Sequence, residues 1–297
     1  MKIEIPSLGI EQLCKLFGKT RLAWYDNTRR AKDNLLNNEI IIEQVLNIRT
    51  SMPRIGVRKL YHLLTPILQQ HQIKIGRDHL FDLLAEHKLL IRTRKRKAVT
   101  TYSNHWMFKY SNLVKGFTPE KPHQLWVSDI TYIRVNNGFA YLSLITDAYS
   151  RKIMGYDVRK DLSSEGCINA LQMALANRGR NIHSLIHHSD RGSQYCSRQY
   201  VDILKENQIA ISMTNNGDPY ENALAERVNG ILKTEFNLYS VCSFEETCKK
   251  VKQSIEAYNQ LRPHSSCNYL TPAEAHKVAG PLKVRWKNYR KPILTNP

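Results

Sequence analysis

The chain has 297 residues and 42% hydrophobic content, enough for one enzyme-sized core with one or two small appended domains. Its 44 lysines and arginines face 26 acids, a formal net charge of +18 that favours a polyanionic partner. The sequence has no basic start leading into an apolar run and no stretch of about eighteen apolar residues, so it reads as cytoplasmic, neither secreted nor membrane-spanning.

The charge is concentrated. Residues 49–110 carry a net +10, and the tail 277–297 holds 6 lysines and arginines with no acid. Two basic segments around a nearly neutral middle suggest clamps on a phosphate backbone flanking a catalytic body; a basic surface kept for solubility is the alternative. The six cysteines form no C-x-x-C pair, which suits reduced thiols.

In chain order, residues 9–17 before Gly18 predict a short helix, and 36–48 show apolar residues at helical spacing; together they form an amino-terminal helical segment, 1–50. Two amphipathic segments, 56–65 and 76–89, joined by a turn-sized connection, read as helix-turn-helix-like, with Arg77 and His79 near the start of the second helix. A purely structural helical hairpin is the alternative. The run 92–97, with Arg92, Arg94, Lys95, Arg96 and Lys97, is too like-charged to pack and reads as a backbone-contacting linker, closing a DNA-binding region 51–98.

From Gln124 the pattern changes. Residues 126–133, 139–149 and 152–159 are rich in β-branched and aromatic side chains and predict an antiparallel meander, with the turn Asn136-Asn137-Gly138. A helix over 164–177, a strand in 184–192, a helix over 197–207, a strand over 209–214, a polar loop and a long helix from 221 to about 237 follow. Three hairpin strands followed by alternating helices and strands predict an α/β, ribonuclease H-like core (118–276): a mixed five-stranded sheet with flanking helices, preceded by the all-α region and followed by the basic tail 277–297.

Asp129 interrupts an otherwise apolar or hydroxylated strand, where a carboxylate is costly unless a metal ion compensates its burial. Asp190 follows the strand segment 185–188 where the chain turns through Arg191-Gly192, and Glu226 lies on the last long helix. Asn222, Gly230 and Lys233, at i−4, i+4 and i+7, share its face, so Asn222 and Lys233 point where Glu226 points. Three carboxylates without His or Cys partners select Mg²⁺ or Mn²⁺, and two such ions break and make phosphodiesters by activating the attacking oxygen and stabilising the leaving one. Lys233 would supply a phosphate contact.

Asp190 and Glu226 are separated by 35 residues. This D…D(35)E arrangement resembles the DDE transposase and retroviral-integrase superfamily. Five motifs narrow the resemblance to bacterial transposases of the insertion-sequence-three family: W-x-x-D-I-T-Y at 126–132, D-A-Y-S-R at 147–151, H-S-D-R-G-S-Q-Y at 188–195, E-N-A-L-A-E at 221–226 with L-K-T-E at 232–235, and Y-N-x-x-R-P-H-S at 258–265 before T-P-A-E at 271–274. The resemblance implies a bacterial, nucleoid-associated enzyme that binds the terminal inverted repeats of its element and target DNA as a homo-oligomer. It implies a first cleavage by water and strand transfer by a DNA 3′-hydroxyl. Two departures stand out. Glu221 replaces the Asp of many relatives, and no obvious amino-terminal leucine zipper occurs, a stretch that in this family belongs to an upstream reading frame whose helix-turn-helix protein is a further expected partner.

Alternatives attach to several residues. Asp147 suggests a turn-stabilising role, given Ala148-Tyr149-Ser150-Arg151. Glu235 lies well round the helix from Glu226 and is expected to face solvent or pair with a basic residue. His183, His187, His188 and Cys196 invite a zinc site, but no second Cys or His completes a usual spacing, and His188 fits better as an orienter of the Asp190 loop. Arg262 either sets a cation near DNA or caps a helix ended by Pro263. Two rival functions remain open: a DNA-binding protein with an inert catalytic scaffold, and a ribonuclease H-type hydrolase.

Overall fold

The computed structural model describes residues 9–91, 106–136, 138–179, 184–215, 222–239 and 243–282, without the side chains of 27, 28 and 30–33. The predicted linker cations Arg92, Arg94, Lys95, Arg96 and Lys97, together with Glu221, His183 and the end of the basic tail, lie outside these residues. The chain divides into two compact units, Met1–Ile48 with Leu63–Leu90, and Arg49–His62 with Ile91–Pro297. The boundary drawn at residue 51 does not coincide with this division, because 49–62 group with the catalytic unit.

The first unit is helical: α1 (Ile10–Leu16), most of α2 (Arg21–Ser51), the later part of α3 (Val57–Gln70) and α4 (Arg77–Glu86). Its core is made by Ile41, Val45, Leu64, Leu68, Leu80 and Leu84, all buried. The helix predicted at 36–48 is the second half of a 31-residue helix. The first half was invisible to apolar periodicity because it has little. α3 and α4 are the expected pair: Gln72 and Lys88 take left-handed φ values of 56° and 57°, one in the connection and one just past α4.

The second unit is built on one five-stranded sheet in the order β3-β2-β1-β4-β5. β1 (Leu125–Val135), β2 (Gly138–Asp147) and β3 (Ile153–Arg159) form the antiparallel meander; β4 (Ile186–Ser189) and β5 (Ala210–Met213) add to β1 in parallel. Between and after them come α5 (Ser164–Ala176), α6 (Ser193–Cys196), α7 (Arg198–Glu206), α8 (Ala223–Glu235), α9 (Phe244–Gln260) and the short α10 (Pro272–Ala275). This is the ribonuclease H-like arrangement expected.

Side chains alternate along β1, and the alternation assigns the faces. Trp126 packs with α5 and α7 residues such as Ala170, Leu171 and Tyr200, whereas Leu125 and Val127 pack with Ala225 of α8. α5 presses on β3 so closely that a Cβ on Gly155 would stand 2.0 Å from the Ala170 carbonyl oxygen. The helix predicted over 197–207 is α7, and the short α6 before it, set off by extended Ser197, was not anticipated. α9 was not anticipated, although Ser243 caps its start by accepting from the Glu246 amide at 3.1 Å.

Candidate active site

Asp129 sits on the β1 face that meets α8. The Asn229 amide of α8 donates to Asp129 Oδ2 at 2.8 Å, one turn beyond Ala225, which packs under Val127. β4 runs parallel to β1 with Val127 beside His188, and Asp190, immediately past the end of β4, lies near enough for its charge to act on Asp129. Gly192 turns the chain there, its N–H donating to Asp190 Oδ1 at 3.0 Å, and a Cβ at Gly192 would meet that oxygen at 3.0 Å. Glu226 is exposed in the first turn of α8, one helical step before Asn229.

Electrostatics ties the three together. Burial pushes the Asp129 carboxyl up to about 7, the negative charge of Asp190 adds to this, and Glu226 adds less; the Asn229 amide and the Ile130 backbone N–H pull the other way. Among the described residues, no three His, Cys, Asp or Glu side chains are gathered closely enough to hold one ion by themselves. Asp190 and Glu226 in electrostatic reach of Asp129 nonetheless leave a deficit of positive charge, and hard oxygen donors suit Mg²⁺ or Mn²⁺.

Lys233 lies two turns along α8 from Glu226, its ammonium 4.5 Å from the centre of the Tyr132 ring. Burial lowers its pKa, while the charge of Asp129 acts in the opposite direction. Tyr132, expected in the core, is half-buried and braced edge-on by Phe139.

Asn222 corrects the sequence reading. It is buried at the N-cap of α8, and its amide nitrogen donates to the Ser128 carbonyl at 3.0 Å. It fastens the helix to β1 instead of reaching outward to DNA. Arg77 is exposed on the first turn of α4, ion-paired at 2.7 Å with its neighbour Asp78.

Other assignments resolve in the same way. Asp147 is a turn carboxylate, accepting from the Ser150 amide and hydroxyl and from the His123 amide at 2.7–2.8 Å. Arg262 is 1% exposed and holds Glu235 through two hydrogen bonds of 2.8 and 2.9 Å, so it is not a cation offered to DNA. Glu235 is paired, with Lys59 as a second partner at 2.8 Å. His188 is buried and bonded to the Ser212 hydroxyl at 2.9 Å, while His187 shares the Ser128 and Tyr200 hydroxyls, and burial drives its pKa down to about 3. Neither joins a metal cluster among the described residues. Asn229 was missed by sequence reasoning, although its place three residues after Glu226 was a usable signal.

Comparison with known proteins bears on the fold and the family. The integrase core domain matches residues 119–219, and a second integrase core family matches 207–272. An uncharacterized 31 kDa protein of insertion element IS600 from Shigella sonnei is 34% identical over 270 residues, covering 88% of this chain and 96% of that protein. A putative transposase for insertion sequence element IS986/IS6110 of Mycobacterium tuberculosis is 32% identical, over 74% of this chain and 80% of its own. The transposase InsF for insertion sequence IS3A of Escherichia coli is 34% identical, over 64% and 67%. With an integrase core folded around Asp129 and Asp190 and relatives at this identity along most of its length, the chain belongs to the insertion-sequence-three family of DNA transposases, enzymes that cut DNA strands and join them elsewhere.

Proposed function

We propose that Asp129, Asp190 and Glu226 are the catalytic carboxylates of this transposase and together hold two divalent cations, Mg²⁺ or Mn²⁺. The observation that carries the reading is the crowding of Asp129 by Asp190, which helps to lift the Asp129 carboxyl to about 7. Bound there, the ions would activate the attacking oxygen and stabilise the leaving one. Asn229 orients Asp129 by donating to one of its carboxylate oxygens. Asn222 anchors the first turn of α8 to β1 and so fixes where Glu226 starts. Lys233, held over Tyr132, reaches a phosphate oxygen of the scissile strand. In the first cleavage a bond forms from water oxygen to phosphorus, the phosphorus–O3′ bond breaks, and one water proton passes to the departing 3′-oxygen; in strand transfer the freed 3′-hydroxyl oxygen bonds in line to a target phosphorus, the target's phosphorus–O3′ bond breaks, and the hydroxyl proton passes through solvent to that departing 3′-oxygen.

The duplex ends of the element and the target DNA are the substrates. Arg77 and the cations at 92, 94, 95, 96 and 97 contact backbone, two copies act on two ends, and an upstream-frame helix-turn-helix protein contributes to end recognition. The test is strand cleavage and joining by purified protein with Mg²⁺ on DNA carrying the element's ends, comparing wild type with Asp190→Ala. Products from the wild type alone are expected; equal DNA binding with no strand chemistry from either protein would replace this reading with that of a DNA-binding protein.

A further inference from the structure

α2 presents two faces of opposite character. Ile41 and Val45 are buried in the first unit, while the opposite face, one recurring step of three or four residues after another, runs through positions 22, 25, 29, 32, 36, 39, 43 and 46. Every described side chain on that stripe is exposed, including Leu22 at 72%, Leu36 at 60% and Leu46 at 49%. Between 21 and 36 the described side chains are exposed on all sides. A helical half whose described side chains are this exposed is marginal in water, so it calls for a partner.

The alternation of three and four is the spacing of a coiled-coil seam. Charge selects the partner: residues 21–32 carry a net +3 and residues 33–48 a net −3. A parallel copy would set like charges together, whereas an antiparallel copy sets each half against its opposite. Crossing at residue 34, such a pair brings Leu22 against Leu46, Tyr25 against Glu43 and Arg29 against Glu39, each contact occurring twice by two-fold symmetry. The paired length is about 36 Å.

We propose that α2 is the surface through which two copies of this chain pair, antiparallel, along this stripe. The inference rests on the reading that two copies act on two DNA ends, and it names the contact. It also explains why no leucine zipper is visible: charged residues occupy half of the seam, and they specify orientation at the expense of apolar area.

The test is sedimentation of the full chain, alone and on DNA carrying two element ends, for wild type, Arg29→Glu, Glu39→Lys and an equimolar mixture of the two variants. Both positions of substitution are exposed, and circular dichroism checks that the helix content is kept. Wild type is expected to dimerise, each variant alone to dissociate at least about tenfold more readily, and the mixture to recover a one-to-one dimer, since the carboxylate introduced in one chain would then face the ammonium introduced in the other. Unchanged dimers in both variants, or no recovery in the mixture, would overturn the surface and leave the two-copy reading standing. A wild type that stays monomeric on two-ended DNA would overturn both, whereas protection of α2 from hydrogen exchange only on addition of the upstream-frame protein would overturn the surface alone.

Discussion

At the scale of single residues, Asn229 and Asp129 make the most specific claims. The Asn229 amide stabilises the ionised Asp129 carboxylate, so Asn229→Ala removes a restraint on a pKa already raised to about 7. In the metal-free protein the Asp129 titration should then shift to higher pH by about one unit, measured as the midpoint of its carboxyl carbon-13 NMR titration. Asp129 itself has a folded pKa above its unfolded value, so the folded state favours the proton. Stability is fully present below about 4, falls as pH rises towards 7, and stays lower above it. Metal-free Asp129→Asn should therefore melt higher than wild type at pH 8, by roughly 2–4 °C for about 1 kcal/mol, and no higher below pH 4. Scanning calorimetry at the two pH values decides this; an equal offset at both would show that the effect is packing and not charge.

At the scale of elements, α8 is held at both ends, by Asn222 on the Ser128 carbonyl and by Glu235 between Arg262 and Lys59. Burial alone would raise the Glu235 pKa, but the Arg262 hydrogen bonds and the two cations outweigh it and lower it. Glu235→Gln leaves two buried cations facing one neutral amide and should cost about 3–5 kcal/mol of stability, read by urea unfolding. The α5–β3 contact is as demanding. Gly155→Ala drives a methyl into the Ala170 carbonyl and the Ala174 amide, at 2.0 and 2.8 Å, and should destabilise by about 3 kcal/mol or prevent soluble expression. Recovery of a wild-type melting temperature in that variant would show that α5 slides freely. The elements themselves were largely legible, because β1, β2 and β3 announce themselves by β-branched and aromatic side chains and α5 by its apolar face. The first half of α2 and all of α9 were not: one sets its apolar residues in adjacent clusters at 22–25 and 35–36 instead of at helical spacing, and the other hides its apolar positions among Lys249, Lys250 and Lys252.

At the scale of the whole molecule, the net charge of +18 makes DNA affinity a matter of counterion release. Neutralising the five cations in 92–97 should reduce the slope of log affinity against log salt by about four, with the fold unchanged, in binding titrations over several salt concentrations. A slope left as it was would remove that segment from the interface.

What the sequence by itself determined were the identities that chemistry demands: a carboxylate in a strand, a second and a third separated by 35 residues, a surplus of cations and the α/β order of elements. Residue type and spacing carry these without coordinates. Only the tertiary structure decided which neighbours meet. It turned Asn222 and Arg262 inward to bond Ser128 and Glu235, gave Asn229 to Asp129, and left one stripe of α2 bare. Those outcomes depend on which helix face lies against which strand, and helical spacing defines a face without saying what covers it.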